Sequence, residues 1–390
     1  MSKQPVSKVS PHHRRVRAAF AGEWADRIAF TEQAFASSVA SEILGREAHT
    51  GSTELHFEES LAWLQGEAAH EEFVARIYED AAALARALDF DIYYTPWRQP
   101  VRPTKRLDEF TLLYGNPDGN DWWIGKFDPG SRTFSQSAKA CPVLTCEQAV
   151  DIMRRALADP VPVGKPEVDP DLQRVLRKYG DEFVVAGGAG FSVSMESGWL
   201  EATLLEPGLL AEYLDRTVEW NLASLESQRD AGIWLIKGGG DFAFNTGPIY
   251  SPTFFKDVMA PRWKRMFDRS RELGLAYIFR SDGNLWTVAD SLFGWAKPDA
   301  YYECDYDAGM RFPDLRKAFP DLVLMGNVSC DLLVTGTPEK VSRRTLDCIE
   351  AAGPRVVAGS ANAILHGTPV ANVLAMYETA RNYRIPDRTC

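Results

Sequence analysis

The chain contains the stretch Leu275-Ala276-Tyr277-Ile278-Phe279-Arg280-Ser281-Asp282-Gly283-Asn284, in which an apolar run passes directly into a charged turn. The run is typical of a buried strand, and the glycine after Asp282 is typical of the turn that ends it. In a repeating strand–helix chain, the carboxyl ends of strands face the active-site mouth, where polar side chains serve chemistry more often than stability. Arg280 and Asp282 are therefore candidate site residues.

The same unit, a short apolar strand followed by a helix, recurs along the chain. Strands are predicted at 27–31, 90–94, 183–186, 233–237, 276–280, 300–303, 322–325 and 355–358. Helices are predicted at 14–24, 36–44, 57–64, 70–88, 207–230, 252–273, 285–293, 313–319, 338–352 and 370–383. Continuous apolar strands with crossover helices indicate parallel pairing, and eight such strands predict an α/β fold of the (β/α)8 TIM-barrel type. An open doubly wound sheet is the alternative architecture.

Two segments stand outside this repeating unit. We expect residues 1–26 to form an N-terminal helical arm and residues 27–390 to form the barrel. Residues from about 108 to 136 combine β-rich pieces with the turns Asn116-Pro117-Asp118-Gly119 and Asp128-Pro129-Gly130. Proline presets φ and glycine accepts positive φ in such turns, which predicts a β-hairpin insertion after the second strand.

Composition limits the classes of function. The chain has 390 residues and a formal net charge of -11, which disfavours a nucleic-acid surface because phosphate binding needs a basic stripe. No apolar run approaches the roughly 20 residues that cross a bilayer. Six cysteines stand at positions 141, 146, 304, 330, 348 and 390 without zinc-ribbon spacing. We therefore expect a cytoplasmic protein without a disulfide framework.

In a barrel, the residues that follow the eight strands line one mouth. In chain order they are Gln33, Thr95, Trp97, the glycine-rich segments 187–190 and 238–241, Arg280, Asp282, Glu303, Cys304, Asn327 and the segment 360–362. Carboxylates beside an arginine and an amide can shuttle protons, position a polar substrate or hold a metal. We predict Asp282 and Glu303 as acid/base groups, or as ligands if a metal binds, and Arg280 as an electrostatic stabiliser. Strand alternation sends only one of Glu303 and Cys304 inward, and we assign Glu303 to the cavity.

Five further residues are predicted to contact substrate. They are Asp241, Asn327 and Asn362, which supply polar groups, and Tyr94 and Trp97, which would wall a pocket for a flat ring.

Simpler interpretations of these patterns stay open. Asp282 is also placed to cap a helix that begins near residue 285, and Asp241 to shape its turn. Arg280 is also placed to form a structural ion pair. The glycine runs lack phosphate-loop spacing, which favours close strand–helix turns over a phosphate cradle.

A set of short motifs carries a resemblance to a known family. They are Arg15-Val16-Arg17-Ala18-Ala19-Phe20, Ser281-Asp282-Gly283-Asn284, Ala308-Gly309-Met310, Gly326-Asn327-Val328, Gly336-Thr337-Pro338-Glu339 and Gly367-Thr368-Pro369. On these motifs, residues 14–381 resemble the uroporphyrinogen decarboxylase superfamily of barrels. Within it the closer likeness is to cobalamin-dependent methyltransferases, namely the methylcobamide:coenzyme M enzymes and the first methyltransferases of O-demethylase systems.

Departures from the family pattern narrow the expected activity. The two arginine places of uroporphyrinogen decarboxylases read Glu32 and Ala36, their aspartate place reads Thr95, and their histidine place reads Asn362. Uroporphyrinogen is therefore not the expected substrate. The zinc ligands of the related methyltransferases fall on Arg280, Asp282 and Asn362. Arginine stays protonated and an amide is a poor zinc ligand, so we do not expect zinc.

The resemblance then implies a function and its partners. We expect transfer of a methyl group from a small methylated substrate, such as a methoxyarene, to a corrinoid carried by a separate protein. Two alternatives stay open, a decarboxylase of a small carboxylate with Arg280 gripping the acid, and a non-catalytic ligand-binding barrel. A homodimer is the oligomeric state that we consider.

Overall fold

The computed structural model describes residues 10–99, 101–140, 143–160 and 164–386. Cys141, Cys390, the first nine residues of the predicted arm and the last four of the predicted barrel lie outside the described residues. The other four cysteines, Cys146, Cys304, Cys330 and Cys348, are free thiols.

Within these residues the strands run in chain order as follows. They are β1 (Ala29–Phe30), β2 (Ile92–Tyr93), β3 (Lys105–Arg106), β4 (Thr111–Tyr114), β5 (Trp123–Asp128), β6 (Thr133–Lys139), β7 (Val184–Gly188), β8 (Leu235–Gly239), β9 (Ala243–Phe244), β10 (Gly247–Pro248), β11 (Ala276–Arg280), β12 (Ala300–Tyr302), β13 (Val323–Met325) and β14 (Val356–Ala358). Eight of them form one parallel sheet in the order β1-β14-β13-β12-β11-β8-β7-β2. That order runs once around a nearly closed barrel, so the predicted (β/α)8 fold is confirmed and the open doubly wound sheet was wrong.

Helices surround this sheet. They are α1 (Pro11–Ala21), α2 (Ser37–Leu44), α3 (Thr53–Gln65), α4 (Glu67–Leu88), α5 (Cys146–Ala158), α6 (Pro170–Tyr179), α7 (Ser197–Leu205), α8 (Pro207–Asp230), α9 (Pro252–Phe254), α10 (Ala260–Glu272), α11 (Phe312–Ala318), α12 (Cys330–Thr335), α13 (Pro338–Ala352) and α14 (Val370–Asn382), with π-helical segments at Phe255–Met259 and Asp290–Ala296. The helix predicted at 285–293 is instead a turn followed by the second π-helical segment. No helix of the described residues is long and apolar enough to span a membrane.

Hydrogen bonds join β1 to β2, where the sheet order ends. Asp91 N donates to Phe30 O at 2.9 Å, and Thr31 Oγ1 donates to Ile92 O at 2.8 Å. The buried Asp91 carboxylate accepts from Phe30 N at 3.0 Å and from Arg27 Nη1 at 2.6 Å. A charged pair with several hydrogen bonds thus holds the seam, which satisfies the buried charges that this position creates.

Alternation along the strands decides which side chains point into the barrel. Leu235 and Ile278 belong to the inner apolar cluster, whereas Ile236 and Phe279 pack outward against the helices. Because the side-chain period of a strand is two, Lys237 and Arg280 point inward at the carboxyl ends of β8 and β11. The fold therefore places two cations at the top of the barrel interior.

The predicted hairpin insertion is larger than the sequence indicated. β3 to β6 form a separate four-stranded antiparallel sheet in chain order. Phe127 stacks on Phe57 of α3 with ring centres 4.6 Å apart, and Phe134 joins the same apolar cluster. Most side chains of β6 are exposed, so this strand lacks the apolar alternation by which a strand is recognised.

Candidate active site

Two of the predicted site carboxylates contact one arginine, and a third lies close to them. Arg280 Nη1 lies 3.1 Å from Asp241 Oδ1 and 3.1 Å from Glu303 Oε1. Asp241, Asp282 and Glu303 each bring a carboxylate oxygen within 4.8 Å of the others. Residues from the ends of β8, β11 and β12 thus converge at the carboxyl side of the barrel, as the strand-end argument predicts.

Glu303 is held in an uncommon backbone conformation. Its φ is +72°, a region that costs free energy for any residue except glycine. The side chain is buried, and it accepts from Arg280 and from Gln33 Nε2. Burial raises the pKa of Glu303, while the Arg280 charge opposes this shift. Cys304 packs away from the cavity with Sγ 3.4 Å from Tyr301 O, so the predicted inward choice of Glu303 agrees with the structure.

Asp282 is tied to the end of the last barrel strand. Its Oδ2 accepts from Asn362 Nδ2 at 2.6 Å. Burial, and then the charges of Glu303 and Asp241, raise the pKa of Asp282 to about 7. The capping alternative is not what the structure shows, because Asn284 Oδ1 rather than Asp282 accepts from Trp286 N at 3.0 Å.

The residues present do not suit a metal ion. Three carboxylates would attract a hard cation, but the Arg280 guanidinium already lies between Asp241 and Glu303. The family zinc positions bring Arg280, Asp282 and Asn362 together, and Asn362 turns its amide nitrogen toward Asp282. Neither an arginine nor an amide nitrogen that donates a hydrogen bond can ligate zinc.

A second polar group was missed at the sequence level. Lys237 Nζ donates to Gln33 Oε1 at 3.0 Å and lies 4.2 Å from the centre of the Tyr94 ring. Gln33 in turn donates to Glu303, which also accepts from Arg280, so a chain of hydrogen bonds connects Lys237 to Arg280. The signal that could have found Lys237 is its place two residues after the inward-pointing Leu235. We call Gln33, Tyr94 and Lys237 the inner donors.

Two residues that were predicted to contact substrate, Trp97 and Asn327, lie away from this cluster. Trp97 is 70% exposed and packs edge-on against His56 with ring centres 4.8 Å apart. Asn327 is fully buried; its Nδ2 donates to Cys304 O at 2.6 Å and to Met310 O at 3.0 Å. Its Oδ1 accepts from Arg344 Nη2 at 2.7 Å, so the amide braces loops and is not exposed to a ligand.

Glu32 forms a separate buried network beside β1. Its carboxylate accepts from Ser360 Oγ at 2.8 Å, Ser360 N at 3.1 Å, Tyr377 hydroxyl at 3.1 Å and Tyr302 hydroxyl at 3.2 Å. Burial raises the pKa of Glu32 to about 7. An acid with four donors in this arrangement cannot take the role of an arginine that grips substrate carboxylates.

A cavity of about 750 Å³ opens beside the cluster. Asp282 and Asn362 line it on one side, and the β9–β10 hairpin lines it on another. Gly283, with φ +81°, lets this hairpin approach, because a Cβ there would collide with the Ala243 carbonyl. Three further aspartates, Asp305, Asp307 and Asp331, line the cavity, and the lining residues that the structure describes include no lysine or arginine. We call these three aspartates the acidic rim.

Comparison with known proteins agrees with this architecture. The model of the family described as uroporphyrinogen decarboxylase (URO-D) matches residues 183–383, which is just over half of the chain. A methyltransferase from Methanosarcina mazei has a similar structure, with a TM-score of 0.63 at 14% identity over 96% of this chain and 98% of that one.

A sugar phosphate isomerase/epimerase from Parabacteroides distasonis matches at 7% identity with a TM-score of 0.33, over 85% of this chain and 94% of that one, and adds nothing to the assignment. No curated protein matches the sequence. At such identities the solved structures support the fold alone, and the family rests on the model that spans β7 to α14. The chain belongs to the uroporphyrinogen decarboxylase (URO-D) family.

Proposed function

We propose that this barrel removes a methyl group from a small, neutral methoxyarene and passes it to a corrinoid carried by a partner protein. The observation that carries the proposal is the separation of carboxylates that line the cavity from two cations at the neighbouring strand ends. Asp305, Asp307 and Asp331 line the cavity, whereas Arg280 and Lys237 lie at the carboxyl ends of β11 and β8 and are not among the described residues of its lining. A substrate that is neutral beside the carboxylates and gains negative charge near the two cations matches this separation.

The acidic rim disfavours a small carboxylate as the substrate. Two like charges about 4 Å apart repel by about 1 kcal/mol in water and by more in a partly buried site. Asp305, Asp307 and Asp331 therefore oppose an entering anion, and Asp282 lines the same cavity. Arg280 already contacts two carboxylates through Nη1, which leaves it little net charge to grip an acid. A neutral methyl ether meets no such barrier.

Residues of this chain would bind the substrate at the strand ends and stabilise the negative charge that develops there. Nε and Nη2 of Arg280 make no hydrogen bond within the described residues, so these donors remain for a ligand. Asn362 holds Asp282 in place, and the raised pKa of Asp282 suits proton exchange near neutral pH. Glu303 accepts hydrogen bonds from both Arg280 and Gln33, which fixes the position of the guanidinium relative to the Gln33 amide.

The partner protein is proposed from the edge of the cavity. Phe244 and Leu365 line the cavity and are 64% and 45% exposed. Large apolar side chains at an open mouth are typical of a surface that another protein covers. When its carrier docks there, a reduced corrinoid would supply the nucleophile that accepts the methyl group. The similarity in fold to a methyltransferase supports the same direction.

The test is a demethylation assay on the purified protein. Guaiacol bearing a deuterated methyl group is incubated with free reduced cobalamin, which replaces the carrier-bound corrinoid, and catechol is measured by chromatography with mass detection. We expect catechol only when protein and reduced cobalamin are both present, and we expect the Arg280→Met variant to form much less. Absence of catechol across a panel of methoxyarenes would overturn the proposal.

The alternatives leave different products in the same experiment. Carbon dioxide released from an aromatic acid without cobalamin would identify a decarboxylase. Binding of methoxyarenes without any turnover, measured by calorimetry, would identify a binding barrel.

A further inference from the structure

Within the described residues, Lys237 is a cation of the barrel interior that forms no ion pair with a carboxylate. Its side chain is partly buried, and within the described residues its ammonium makes one hydrogen bond, to the neutral Gln33 amide, and one ring contact, with Tyr94. An ammonium carries three donors, so two of them remain for another acceptor.

The Tyr94 hydroxyl is a second donor that is available to an acceptor. Its residue is only 8% exposed, and its hydroxyl is buried without a hydrogen-bond partner in the described structure. A buried hydroxyl without a partner costs free energy, and native proteins usually satisfy such groups with protein, water or ligand. A buried hydroxyl without a partner in the described structure, next to an ammonium with donors to spare, is a stronger indication of a missing acceptor than either alone.

The surroundings of these donors limit what the acceptor can be. The charges that act on Lys237 are those of Glu303, Arg280 and Glu32, and its nearest ring is that of Tyr94. Glu32, Gln33 and Tyr94 also border a void of about 40 Å³, which has room for about one water molecule, and Lys237 is not among the described residues that line it. An anionic oxygen best suits an ammonium with a hydroxyl beside it.

We propose that Lys237 Nζ and the Tyr94 hydroxyl form an oxyanion subsite for the phenolate oxygen of the product. The proposal rests on the proposed function, since loss of the methyl group from an aryl ether leaves the bonding electron pair on the aryl oxygen. That oxygen then becomes a phenolate, which accepts from both donors.

The ionisation of Lys237 is compatible with this role. Burial lowers the pKa of Lys237 to about 8, and the Glu303 charge opposes that shift. The lysine is therefore largely protonated at neutral pH and can hold an anion by charge as well as by hydrogen bonds. The pKa of Tyr94 is raised by burial, so its hydroxyl stays a donor.

The experiment measures phenolate binding without any corrinoid. The probes are 4-nitrophenol, whose ionisation is visible in its absorbance, and nitrobenzene, which has the ring and nitro group but no hydroxyl. We expect the wild-type protein to bind nitrophenolate and to lower the apparent pKa of the bound phenol. Lys237→Met should weaken nitrophenolate binding roughly 10- to 100-fold and Tyr94→Phe several-fold, as expected for a charged and a neutral donor. Nitrobenzene affinity should change less than about twofold in either variant.

The control variant is Lys317→Met, which removes an exposed lysine of α11. Equal nitrophenolate affinity in wild type and in both subsite variants would overturn the subsite, as would a wild type that prefers nitrobenzene. Tyr94→Phe is isosteric and keeps the test valid if Lys237→Met does not fold. Methyl transfer unchanged in Lys237→Met would refute the subsite and leave the proposed function standing. The predicted binding pattern without methyl transfer on any ether would do the reverse.

Discussion

Glu32 and Glu303 are two buried glutamates at the carboxyl ends of barrel strands, and they differ in their partners. Glu32 is surrounded by hydroxyl and backbone donors from Ser360, Tyr302 and Tyr377. Glu303 is surrounded by the Arg280 charge and the Gln33 amide, and it sits at a strained φ. Burial raises the pKa of both. A raised pKa in a cavity wall therefore does not by itself mark a functional acid; the partners separate a structural role from a chemical one.

The sharpest test of this contrast is the pair Glu303→Gln and Glu32→Gln in the guaiacol assay. Removing the Glu303 charge leaves Arg280 with Asp241 alone and removes one cause of the raised pKa of Asp282. We expect kcat/KM for demethylation to fall on the order of 100-fold in Glu303→Gln, as for loss of one element of a catalytic electrostatic network.

The same assay must return a change of less than about threefold in Glu32→Gln, because a neutral amide can share hydrogen bonds with the surrounding hydroxyl groups. The pH profile separates catalysis from simple damage, since the acid limb governed by Asp282 should move to lower pH in Glu303→Gln. Equal losses in the two variants would show that the contrast between the glutamates has no functional meaning.

The pH dependence of the free energy of unfolding should reveal the raised pKa of Glu32. Its folded pKa of about 7 lies above its ordinary value of 4.5, so the folded state binds the proton more tightly than the unfolded state. This stabilisation is complete below pH 4.5 and is lost as the pH rises through 7. Relative to Glu32→Gln, the wild type should lose about 2 kcal/mol of unfolding free energy between pH 5 and pH 8.

Urea unfolding of both proteins at the two pH values measures this difference. Glu303, Asp282 and Asp299 also have raised pKa values and contribute their own slopes. Those slopes are common to both proteins, so the comparison isolates Glu32. Parallel stability curves for wild type and Glu32→Gln would mean that Glu32 is ionised in the folded protein.

The contrast also shows what the sequence could supply. The pattern of eight apolar strands was sufficient for the barrel, and strand ends were sufficient to bring Arg280, Asp282, Glu303 and Asn362 together. The buried, bracing position of Asn327 could not be predicted, because a strand-end position does not reveal its φ of +73° or the loop carbonyls that accept from its amide. Lys237 was missed for the opposite reason, since a charged residue at the end of a strand is easily taken for a solvated one.

Pairing partners were the least predictable feature. Arg280 was expected to face Asp282 or Glu303, and the structure adds Asp241 from the loop after β8. Glu32 was considered only as a missing arginine, because nothing local indicates that Ser360, Tyr302 and Tyr377 converge on it from distant parts of the chain. Long-range contacts of single side chains depend on the packing of the whole barrel rather than on any periodic pattern.

The smallest expected effect concerns the acidic rim. Its negative charges should weaken the binding of anions, whereas the inner donors should strengthen it. Asp331 lies in the first turn of α12, is exposed, and makes no ion pair within the described residues. Asp331→Asn should improve binding of an anionic ligand such as benzoate about two- to threefold at low salt while leaving guaiacol binding unchanged, because an exposed charge acts through water and is screened. Asp314→Asn is the matched control, since Asp314 occupies the first turn of α11 outside the cavity. The gain should vanish at high ionic strength; a gain that persists in salt, or one shared by Asp314→Asn, would show that the rim does not select against anions by its charge.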